Sequence, residues 1–542
     1  MSEQLALLPG YLTAHLRLSL LALAVGAAVS VPLGILVTRR RRLEPALLGV
    51  ASVIQTIPSL ALLAIMVPLL GAASVFSAAW FGVELRSIGE LPALLALTLY
   101  SMLPMLRNTV AGIEGVDPAL VEAARGVGMT SWQRLARVEL PLAMPVIVAG
   151  LRTAAVWVVG TATLSTPVGA TSLGNFIFSG LQTRNQAAVL VGCVAAAALA
   201  LLLDQLIRLL ELGLRERRRL AVAGAAGTLL LLFAWAVGSA AIRSGSGEAP
   251  VRIGSKTFTE QYVLSELLSS LLGRETGLIG EAVPSLGSTV LFDALRQSEI
   301  DLYVDYTGTL WANVLRREGR PPGRAEVLAE VRRELAERHD VTVVCALGFE
   351  NTYALGMRGD HAAALSVATL AELSRVAPRL AIGADYEFFQ RPEWAALVSA
   401  YGLAFHERRS MDPALMYQAL DQGQVDVISA FSTDGRIAAL GIRLLRDELG
   451  VIPPYDAVVL ASPRLAHERP EALRALALLE GRIGEAEMQR MNHAVDGDGE
   501  SPARVARAFL AGLPLPAAAP ARAAAGGAGA GVDAAPGTSA AP

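Results

Sequence analysis

The chain of 542 residues has little of the chemistry on which metalloenzymes and nucleic-acid-binding proteins depend. Its two cysteines, Cys193 and Cys345, exclude a disulfide framework and a cysteine-based zinc site. The six histidines never recur at the i, i+3 or i+4 spacing of a helical metal site, so we expect no metal and no cofactor. The formal charge of −3 indicates no basic face, and we therefore expect no nucleic-acid partner.

Lysine and charged residues are scarce as well. Lys256 is the only lysine, and it does not stand in a GxxxxGK[ST] loop, so the chain encodes no nucleotide site. No Gly-x-Ser-x-Gly elbow is present either, and we expect no catalytic residues and no enzyme activity. Charged residues make up 18% and hydrophobic residues 53%, with a mean hydropathy of +0.47, which predicts a chain that is part membrane and part soluble.

The long apolar runs lie in the first half. Six stretches have roughly the 20 residues that cross a bilayer, at about 18–38, 46–70, 91–106, 145–166, 187–207 and 220–242. Arginines cluster after the first, third and fifth of them, and short arginine-rich loops stay in the cytoplasm. This predicts a membrane protein whose N-terminus and residues 243–542 lie outside the cytoplasm. Within the spans, we expect Arg152 to reach the interface and Asp204 to pair with Arg208.

The second half has the pattern of a soluble α/β domain. Strand-like segments at 251–254, 300–305, 381–384 and 425–430 alternate with helical patterns such as those at 260–272 and 288–298. We predict an α-helical transmembrane domain over 1–242, a linker over 243–250 and a two-lobed α/β domain over 251–513. The remainder, 514–542, is nearly all Ala, Gly and Pro, which predicts a disordered tail.

The loop after the third span, over 112–142, carries the sharpest local pattern. Asp117 can cap a helix that Pro118 begins, and Gly126 and Gly128 end it. Thr130 or Ser131 then caps a second helix, which we expect to stop before Pro141. The pattern predicts a short helix–turn–helix at the cytoplasmic face.

The same loop resembles the EAA loop of bacterial ABC-importer permeases. The residues that carry the resemblance are Glu122, Ala123, Ala124, Gly128, Leu140 and Pro141. The resemblance implies that Glu122 and Gly128 couple the protein to a separate cytoplasmic ABC ATPase. It also implies a bacterial inner-membrane protein with residues 243–542 on the periplasmic side. A homodimer in the lipid membrane is implied as well, because such a transporter needs two sets of spans and the chain has one.

The α/β half resembles the substrate-binding proteins of glycine betaine, choline and carnitine uptake. Six segments appear in the same order, beginning at Gly254, Gly287, Asp305, Asn351, Phe431 and Pro453. The resemblance implies a periplasmic-binding-protein-like fold whose ligand is held by aromatic walls at Tyr306, Tyr353, Phe431 and Tyr455. The implied polar contacts are Gln261, Thr257, Ser288, Thr289 and Asn351, while Arg436 meets either the ligand's carboxylate or Asp434.

The residues support such a ligand independently. All tyrosines except Tyr11 and Tyr100 follow residue 250, and tyrosine faces attract a trimethylammonium group. We expect the membrane subunit of an ATP-driven importer for a small quaternary-ammonium zwitterion such as glycine betaine, choline or carnitine. Ergothioneine, which has the same two charged groups, is an alternative cargo. A membrane-anchored ligand sensor without transport is the alternative from another class.

Overall fold

The computed structural model describes residues 2–82, 85–183, 185–244, 249–284, 288–317 and 322–513, so the predicted tail over 514–542 lies outside the described residues. The first of its two halves, residues 2–244, is helical. Its helices are α1 (Ser2–Arg39), α2 (Glu44–Thr56), α3 (Ser59–Phe81), α4 (Glu90–Glu114), α5 (Pro118–Gly126), α6 (Ser131–Arg134), α7 (Leu140–Ala162), α8 (Gly174–Gln182), α9 (Gln186–Arg215) and α10 (Arg219–Ser244).

Helix α4 is the centre of this helical half, because α1 and α7 pack along it. Small residues allow the close approach: a Cβ at Gly34 of α1 would lie 2.6 Å from the side chain of Thr109 on α4. Thr98, Ser101 and Thr109 of α4 are all buried against the neighbouring helices. A helix enclosed by protein in this way can carry polar residues that a lipid-facing helix cannot.

That burial explains one of the two places where the six predicted spans and the structure differ. Within the described residues, five helices are long and apolar enough to cross a membrane: Gln4–Arg39, Ser59–Phe81, Ser131–Val168, Gln186–Arg215 and Arg219–Gly238. The third predicted span corresponds to α4, which has 25 residues but is less apolar than these five. Its length matches the bilayer, and its polar residues face α1 and α7.

The second predicted span is wrong as a single helix. The chain breaks at Ile57, where the backbone is extended (φ −67°, ψ 129°), and resumes as α3 at Ser59. Pro58 explains the break, because proline disfavours helical geometry at the residue before it. A run of apolar residues therefore becomes two helices, α2 and α3.

The second half, residues 249–513, is an α/β fold. Its strands are β1 (Val251–Gly254), β2 (Gly280–Val283), β3 (Leu302–Tyr306), β4 (Thr342–Glu350), β5 (Tyr353–Arg358), β6 (Ala381–Ala384), β7 (Glu407–Ser410), β8 (Val427–Phe431), β9 (Ile442–Leu444) and β10 (Asp456–Ala461). Its helices are α11 (Thr259–Thr276), α12 (Ser288–Arg296), α13 (Thr307–Thr309), α14 (Arg324–His339), α15 (Gly359–Ala364), α16 (Leu370–Val376), α17 (Pro392–Tyr401), α18 (Pro413–Asp421), α19 (Arg436–Ala439), α20 (Pro463–Glu468), α21 (Pro470–Leu476), α22 (Glu485–Asp496) and α23 (Pro502–Gly512). The strands predicted at 251–254 and 381–384 are confirmed to the residue.

The strands form two sheets, and each sheet is the core of one lobe. Lobe 1 has the order β2-β1-β3-β10-β4, and lobe 2 has the order β7-β6-β8-β5-β9. The chain passes from lobe 1 to lobe 2 between β4 and β5 and returns between β9 and β10. In each lobe one strand runs antiparallel to its neighbours: β10 beside β3 and β4 in lobe 1, and β5 beside β8 and β9 in lobe 2. Two crossings between lobes leave a cleft between the two sheets.

The two halves are in contact. The segment between α3 and α4 reaches lobe 1, where Ile88 is buried in an apolar cluster with Val283 and Leu291. The carboxylate of Glu299 accepts hydrogen bonds from the backbone N–H groups of Ser87 (2.6 Å) and Ile88 (2.7 Å). Lobe 2 also contacts the helical half, since α18 packs on α8. The cleft between the lobes therefore faces the helical half.

Candidate functional site

A cavity of about 240 Å³ lies in the cleft between the lobes. Six of the residues that the sequence nominated for ligand binding line it: Thr257, Tyr306, Asn351, Tyr353, Phe431 and Tyr455. Tyr306 and Phe431 are the last residues of β3 and β8, and Thr257 follows β1, which is where α/β sheets present ligand contacts. Asn351, Tyr353 and Tyr455 lie at or just before the start of β5 and β10. Strand ends at 306, 353 and 431 thus bring residues far apart in sequence to one cavity.

The walls of this cavity are aromatic. Phe258 stacks on Phe431 with ring centroids 5.4 Å apart and on Tyr306 at 6.3 Å. Tyr353 lies 4.9 Å from Phe431 and 6.0 Å from Tyr455, both measured between ring centroids. Several π faces around one small volume attract a cation that has been stripped of water.

One glycine and one tyrosine pack closely together at the cavity wall. A Cβ at Gly308 would lie 2.6 Å from the ring of Tyr455. Glycine at this position therefore allows the aromatic ring to lie directly against the backbone at the start of lobe 1's helix α13.

The only lysine of the chain lies at this cavity. Lys256 donates from Nζ to Oδ1 of Asp305 at 2.5 Å, and Nζ lies 5.2 Å from the ring centroid of Tyr306. The second carboxylate oxygen of Asp305 accepts from the hydroxyl of Tyr303 at 2.7 Å. Asp305 thus holds the ammonium group in position at the wall of the cavity.

A second cation, the guanidinium of Arg391 from lobe 2, lines the same cavity. It donates to Glu393 at 3.0 Å and crosses to lobe 1, where it donates to the hydroxyls of Thr309 (3.3 Å) and Tyr455 (3.4 Å). Burial lowers the pKa of Arg391, but the surrounding Tyr455, Tyr353 and Glu393 raise it well above its usual value. Arg391 therefore stays charged and connects the two lobes beside the cavity.

Sequence reasoning missed several residues that line this cavity. Phe258 and Lys256 lie within the segment that begins at Gly254, but that segment nominated only Thr257 and Gln261. Arg391 comes two residues after the aromatic pair at 388–389. No motif marks this segment, so there was no reason in the sequence to select Arg391. The lining also includes Asp385, whose pKa burial raises above its usual value, together with Tyr386, Glu387, Asp412 and Pro413.

The other residues that the sequence predicted as ligand contacts do not line the cavity or lie outside the residues that the structure describes. Gln261 is buried behind the wall and donates from Nε2 to the hydroxyl of Tyr306 at 2.9 Å. Arg436 pairs with Asp434, donating from Nε at 2.8 Å, and its guanidinium lies 3.9 Å from the ring centroid of Tyr417. The sequence left two partners open for Arg436, the ligand's carboxylate and Asp434, and in the structure Arg436 pairs with Asp434. Gly287 and the side chains of Ser288 and Thr289 lie outside the described residues.

A buried carboxyl group joins the two lobes behind the aromatic wall. Glu260 accepts hydrogen bonds from Tyr306 (2.5 Å), from Asn351 (3.0 Å), from Asn492 (3.3 Å) and from Thr433 of lobe 2. Burial raises the pKa of Glu260 above its usual value even though these four donors lower it. The same burial, and then Glu260 itself, raises the pKa of Tyr306.

Two residues of the helical half also line the cavity. Pro167, in the 3₁₀ turn Thr163–Val168, and Phe178 of α8 lie at its mouth. Periodicity within either half could not have predicted this contact, because it depends on how the two halves pack. The cavity is therefore completed by both parts of the chain.

At the opposite end of the helices, the loop over 112–142 has most of its predicted form. Asp117 caps α5 by accepting from the N–H of Ala119 at 2.9 Å, and Gly128 has φ +81°. Thr130 caps α6 and exchanges hydrogen bonds with Gln133. These caps and this turn are confirmed.

The predicted end of the second helix before Pro141 is wrong. The chain continues through a π-helical turn, Leu135–Glu139, directly into α7, which begins at Leu140. Pro141 lies directly after this π-helical turn, in the first turn of α7. The loop is thus rigidly joined to a long helix.

Ion pairs hold the loop and the neighbouring helices together. Glu139 is buried and accepts from Arg134 at 2.9 Å and from Arg39 at the end of α1. Farther along α7, Arg152 donates to Asp204 of α9 at 2.6 Å. The predicted Asp204–Arg208 pair is therefore wrong, because packing of α7 on α9 supplies Asp204 with a partner 52 residues away in sequence.

Comparison with known proteins identifies both halves. Residues 249–512 match the family described as the substrate binding domain of the ABC-type glycine betaine transport system. Residues 30–216 match the binding-protein-dependent transport system inner membrane component.

Curated relatives cover the same two parts. The ergothioneine transport permease/ergothioneine binding protein EgtU of Helicobacter pylori (strain G27) is 30% identical over 485 residues, which is 86% of this chain and 84% of the relative. The glycine betaine/carnitine/choline transport system permease protein OpuCB of Bacillus subtilis (strain 168) is 40% identical over 197 residues, covering 36% of this chain and 83% of the relative. The carnitine transport binding protein OpuCC of Listeria monocytogenes is 34% identical over 271 residues, covering 49% and 87%.

The first of these relatives contains both parts in one polypeptide, whereas each of the other two matches one half of the chain. The chain therefore belongs to the osmoprotectant and ergothioneine ABC-importer family, as a membrane permease fused to its substrate-binding domain.

Proposed function

We propose that the cavity between the lobes captures a small quaternary ammonium compound, either a zwitterion of the glycine betaine or carnitine type or the cation choline. The observation that carries this proposal is the set of aromatic rings of Phe258, Tyr353 and Phe431 around one cavity of about 240 Å³. Drug-sized ligands occupy roughly 300–1,000 Å³, so the volume favours a smaller molecule. Each π face contributes up to about 2 kcal/mol toward a desolvated cation.

In a zwitterionic cargo, the carboxylate contacts Lys256 and Arg391. Both cations line the cavity and are fixed by carboxylates, Asp305 and Glu393. Thr257 and Asn351 supply polar contacts from lobe 1 and the first crossing between the lobes. Because Arg391 also bonds Thr309 and Tyr455, ligand bound here favours the closed arrangement of the lobes. Ser288 and Thr289 remain candidate contacts from the start of α12.

ATP hydrolysis on a separate polypeptide drives transport through the helical half. The partner ATPase grips the loop over 112–142, where Glu122 is exposed together with large apolar side chains at Val127 (74% exposed) and Trp132 (72% exposed). Exposed apolar groups of this size, next to a charge, are typical of a surface that another protein covers. The motif residues Ala123, Ala124, Gly128, Leu140 and Pro141 shape that surface.

The orientation follows from the arginines. The cluster at 39–42 meets the loop over 112–142 through the pair of Arg39 and Glu139, so both belong to the cytoplasmic side. We assign residues 1–242 to the permease domain, 243–250 to the linker and 251–513 to the periplasmic receptor domain. Two copies assemble in the lipid bilayer of the inner membrane, each with its own receptor.

A second cargo, ergothioneine, is favoured by a specific observation. The relative of which the chain covers 84%, with permease and receptor in one polypeptide, is named for ergothioneine transport. A betaine of histidine presents the same trimethylammonium and carboxylate groups to the aromatic walls and to Lys256. The cavity's contacts alone accommodate either class.

Calorimetric titration of the purified full-length protein tests the proposal. Glycine betaine, choline, carnitine and ergothioneine should include at least one ligand that binds at micromolar concentration. The radiolabelled ligand is then tested for uptake into vesicles that also contain the ATPase. This measurement distinguishes a transporter from a ligand sensor. If no methylated ammonium compound binds, the receptor assignment is wrong, and binding without ATP-dependent uptake would favour the sensor.

A further inference from the structure

Glu260 lies behind the aromatic wall of the cavity between the lobes, which is the proposed cargo cavity. Within the described part of the chain, neither Glu260 nor its hydrogen-bond partner Thr433 lines that cavity. Both side chains are buried, with 2% and 1% of their surface exposed. Any contribution of these two residues to ligand binding must therefore pass through residues that do line the cavity.

Two residues of the cavity wall donate to the same oxygen of Glu260. Tyr306 donates from its hydroxyl to Oε1 at 2.5 Å, and Asn351 donates from Nδ2 to that oxygen at 3.0 Å. The hydroxyl of Tyr306 also accepts from Gln261 at 2.9 Å, so it is bonded behind the wall. The ring of Tyr306 is left for contact with the ligand, and Glu260 fixes the orientation of that ring and of the Asn351 amide.

The other oxygen of Glu260 is bonded to lobe 2. Oε2 accepts from the hydroxyl of Thr433, which follows β8, and from Nδ2 of Asn492 on α22 at 3.3 Å. Asn492 also donates to the backbone carbonyl of Thr433 at 2.8 Å. The backbones are equally close here, since a Cβ at Gly435 would lie 2.7 Å from the backbone nitrogen of His493 on α22. Glu260 has its full set of donors only when this segment of lobe 2 lies against α22.

We propose that Glu260 is a positioning residue for the cargo, a role that rests on the proposed function of the cavity: it holds Tyr306 and Asn351 in the orientation that binds the ligand, and does so when Thr433 of lobe 2 is in place. Four hydrogen bonds to one buried carboxyl group form a network, in which the loss of one donor affects the others. A change at Thr433 therefore reaches the cavity wall through Glu260. The arrangement of the lobes and the shape of the wall are coupled in this way.

Calorimetric titration of the full-length protein with glycine betaine, choline, carnitine and ergothioneine tests this role. For each compound that binds, Thr433→Val, which keeps the shape of the side chain but loses the hydroxyl, should weaken binding at least fivefold. Thr433→Ser keeps the hydroxyl and should bind within twofold of the unaltered protein. Unchanged binding by Thr433→Val overturns the proposal.

Thr369→Val is the control for a loss of stability alone. It also removes a buried hydroxyl from lobe 2, one that caps α16 by accepting from the N–H of Glu372 at 3.2 Å. Loss of this cap should lower Tm and change affinity by less than twofold. An equal loss of affinity in Thr369→Val and Thr433→Val would mean that affinity only follows stability, which refutes the positioning role.

A second variant covers the case in which Thr433→Val does not fold. Tyr306→Phe keeps the ring in the wall and loses the hydroxyl that donates to Glu260, so it should weaken binding at least threefold; unchanged affinity overturns the proposal. Where both variants fold, the double variant should lose less affinity than the product of the two single effects, because both act through Glu260. Effects that multiply would refute the coupling.

The unaltered protein separates this proposal from the function on which it rests. If none of the four compounds binds to it, the proposed function fails and the positioning role fails with it. If a compound binds and the variants of Thr433 and Tyr306 leave its affinity unchanged, the positioning role alone is overturned.

Discussion

The carboxylate of Glu299, in the receptor, receives hydrogen bonds from two consecutive backbone amides of the permease, at Ser87 and Ile88. The side chain of Ile88 is buried in the apolar cluster of lobe 1. A charged acceptor thus holds the same segment whose apolar residue is inserted in the receptor. Lobe 1 is fixed to the permease by both interactions, whereas lobe 2 contacts it where α18 packs on α8.

Removing this attachment should reduce transport without reducing ligand capture. Hydrogen bonds to a charged acceptor contribute about 1.5–3 kcal/mol each, so Glu299→Ala should lower uptake about fivefold or more. Affinity for the cargo should change by less than twofold, because Glu299 does not line the cavity between the lobes, the proposed cargo cavity. The comparison is vesicle uptake against calorimetric affinity, with Glu337→Ala as the control. Unchanged uptake would contradict the docking role.

Removing an aromatic ring from the cavity should instead weaken ligand binding. Phe431→Ala removes a π face worth up to about 2 kcal/mol, or roughly thirtyfold in affinity, from the cargo cavity. Phe431→Tyr keeps the ring and should bind within a few-fold of the unaltered protein. Tyr401→Phe, whose hydroxyl bonds Asp447 away from the cavity, serves as the control and should bind normally. Equal affinity of the Ala and Tyr variants would refute the role of the aromatic walls in ligand binding.

The buried carboxyl of Glu260 should make receptor stability depend on pH. Its pKa in the folded chain lies above the ordinary value of 4.5 because burial disfavours the charged form. The folded receptor therefore keeps a proton that the unfolded chain has lost. This contribution to stability is complete below the ordinary pKa and disappears as pH rises through the folded pKa.

Glu260→Gln carries no titrating proton, so it should remove this part of the pH dependence. The Tm of the unaltered protein minus that of the variant should fall as pH rises above about 4.5. Thermal unfolding of the full-length protein, followed between pH 4 and 8, measures the difference. A difference that rises with pH would mean that the four hydrogen-bond donors outweigh burial at Glu260.

Local patterns in the sequence predicted those features that neighbouring residues determine. The cap at Asp117, the turn at Gly128 and the strand at 381–384 each depend on a few consecutive residues, and all three are present. The nomination of Tyr306, Tyr353 and Tyr455 followed from segments resembling a known family, and these side chains do line one cavity.

Features that depend on packing between distant segments were not predictable in the same way. Asp204 pairs with Arg152 because α7 and α9 are adjacent, although Arg208 is nearer in sequence. Phe178 reaches the cargo cavity only because the permease and receptor are docked. The length of the apolar run also failed to predict the helix break at Pro58, because it reports apolarity and not the backbone constraint that proline imposes.

The turn at Gly128 offers the sharpest test of coupling to the ATPase. A Cβ at Gly128 would meet no atom within 4 Å, but its φ of +81° strains any other residue. Gly126, two residues earlier, also has open space and ends α5 without a positive φ, so it is a matched control. Gly128→Val should reduce ATP-dependent uptake at least tenfold and leave cargo affinity intact, because a β-branched residue tolerates this conformation least. Gly126→Val, which adds the same side chain at a position without a positive φ, should transport normally. Equal uptake by the two variants would show that the turn does not set the shape of the docking surface.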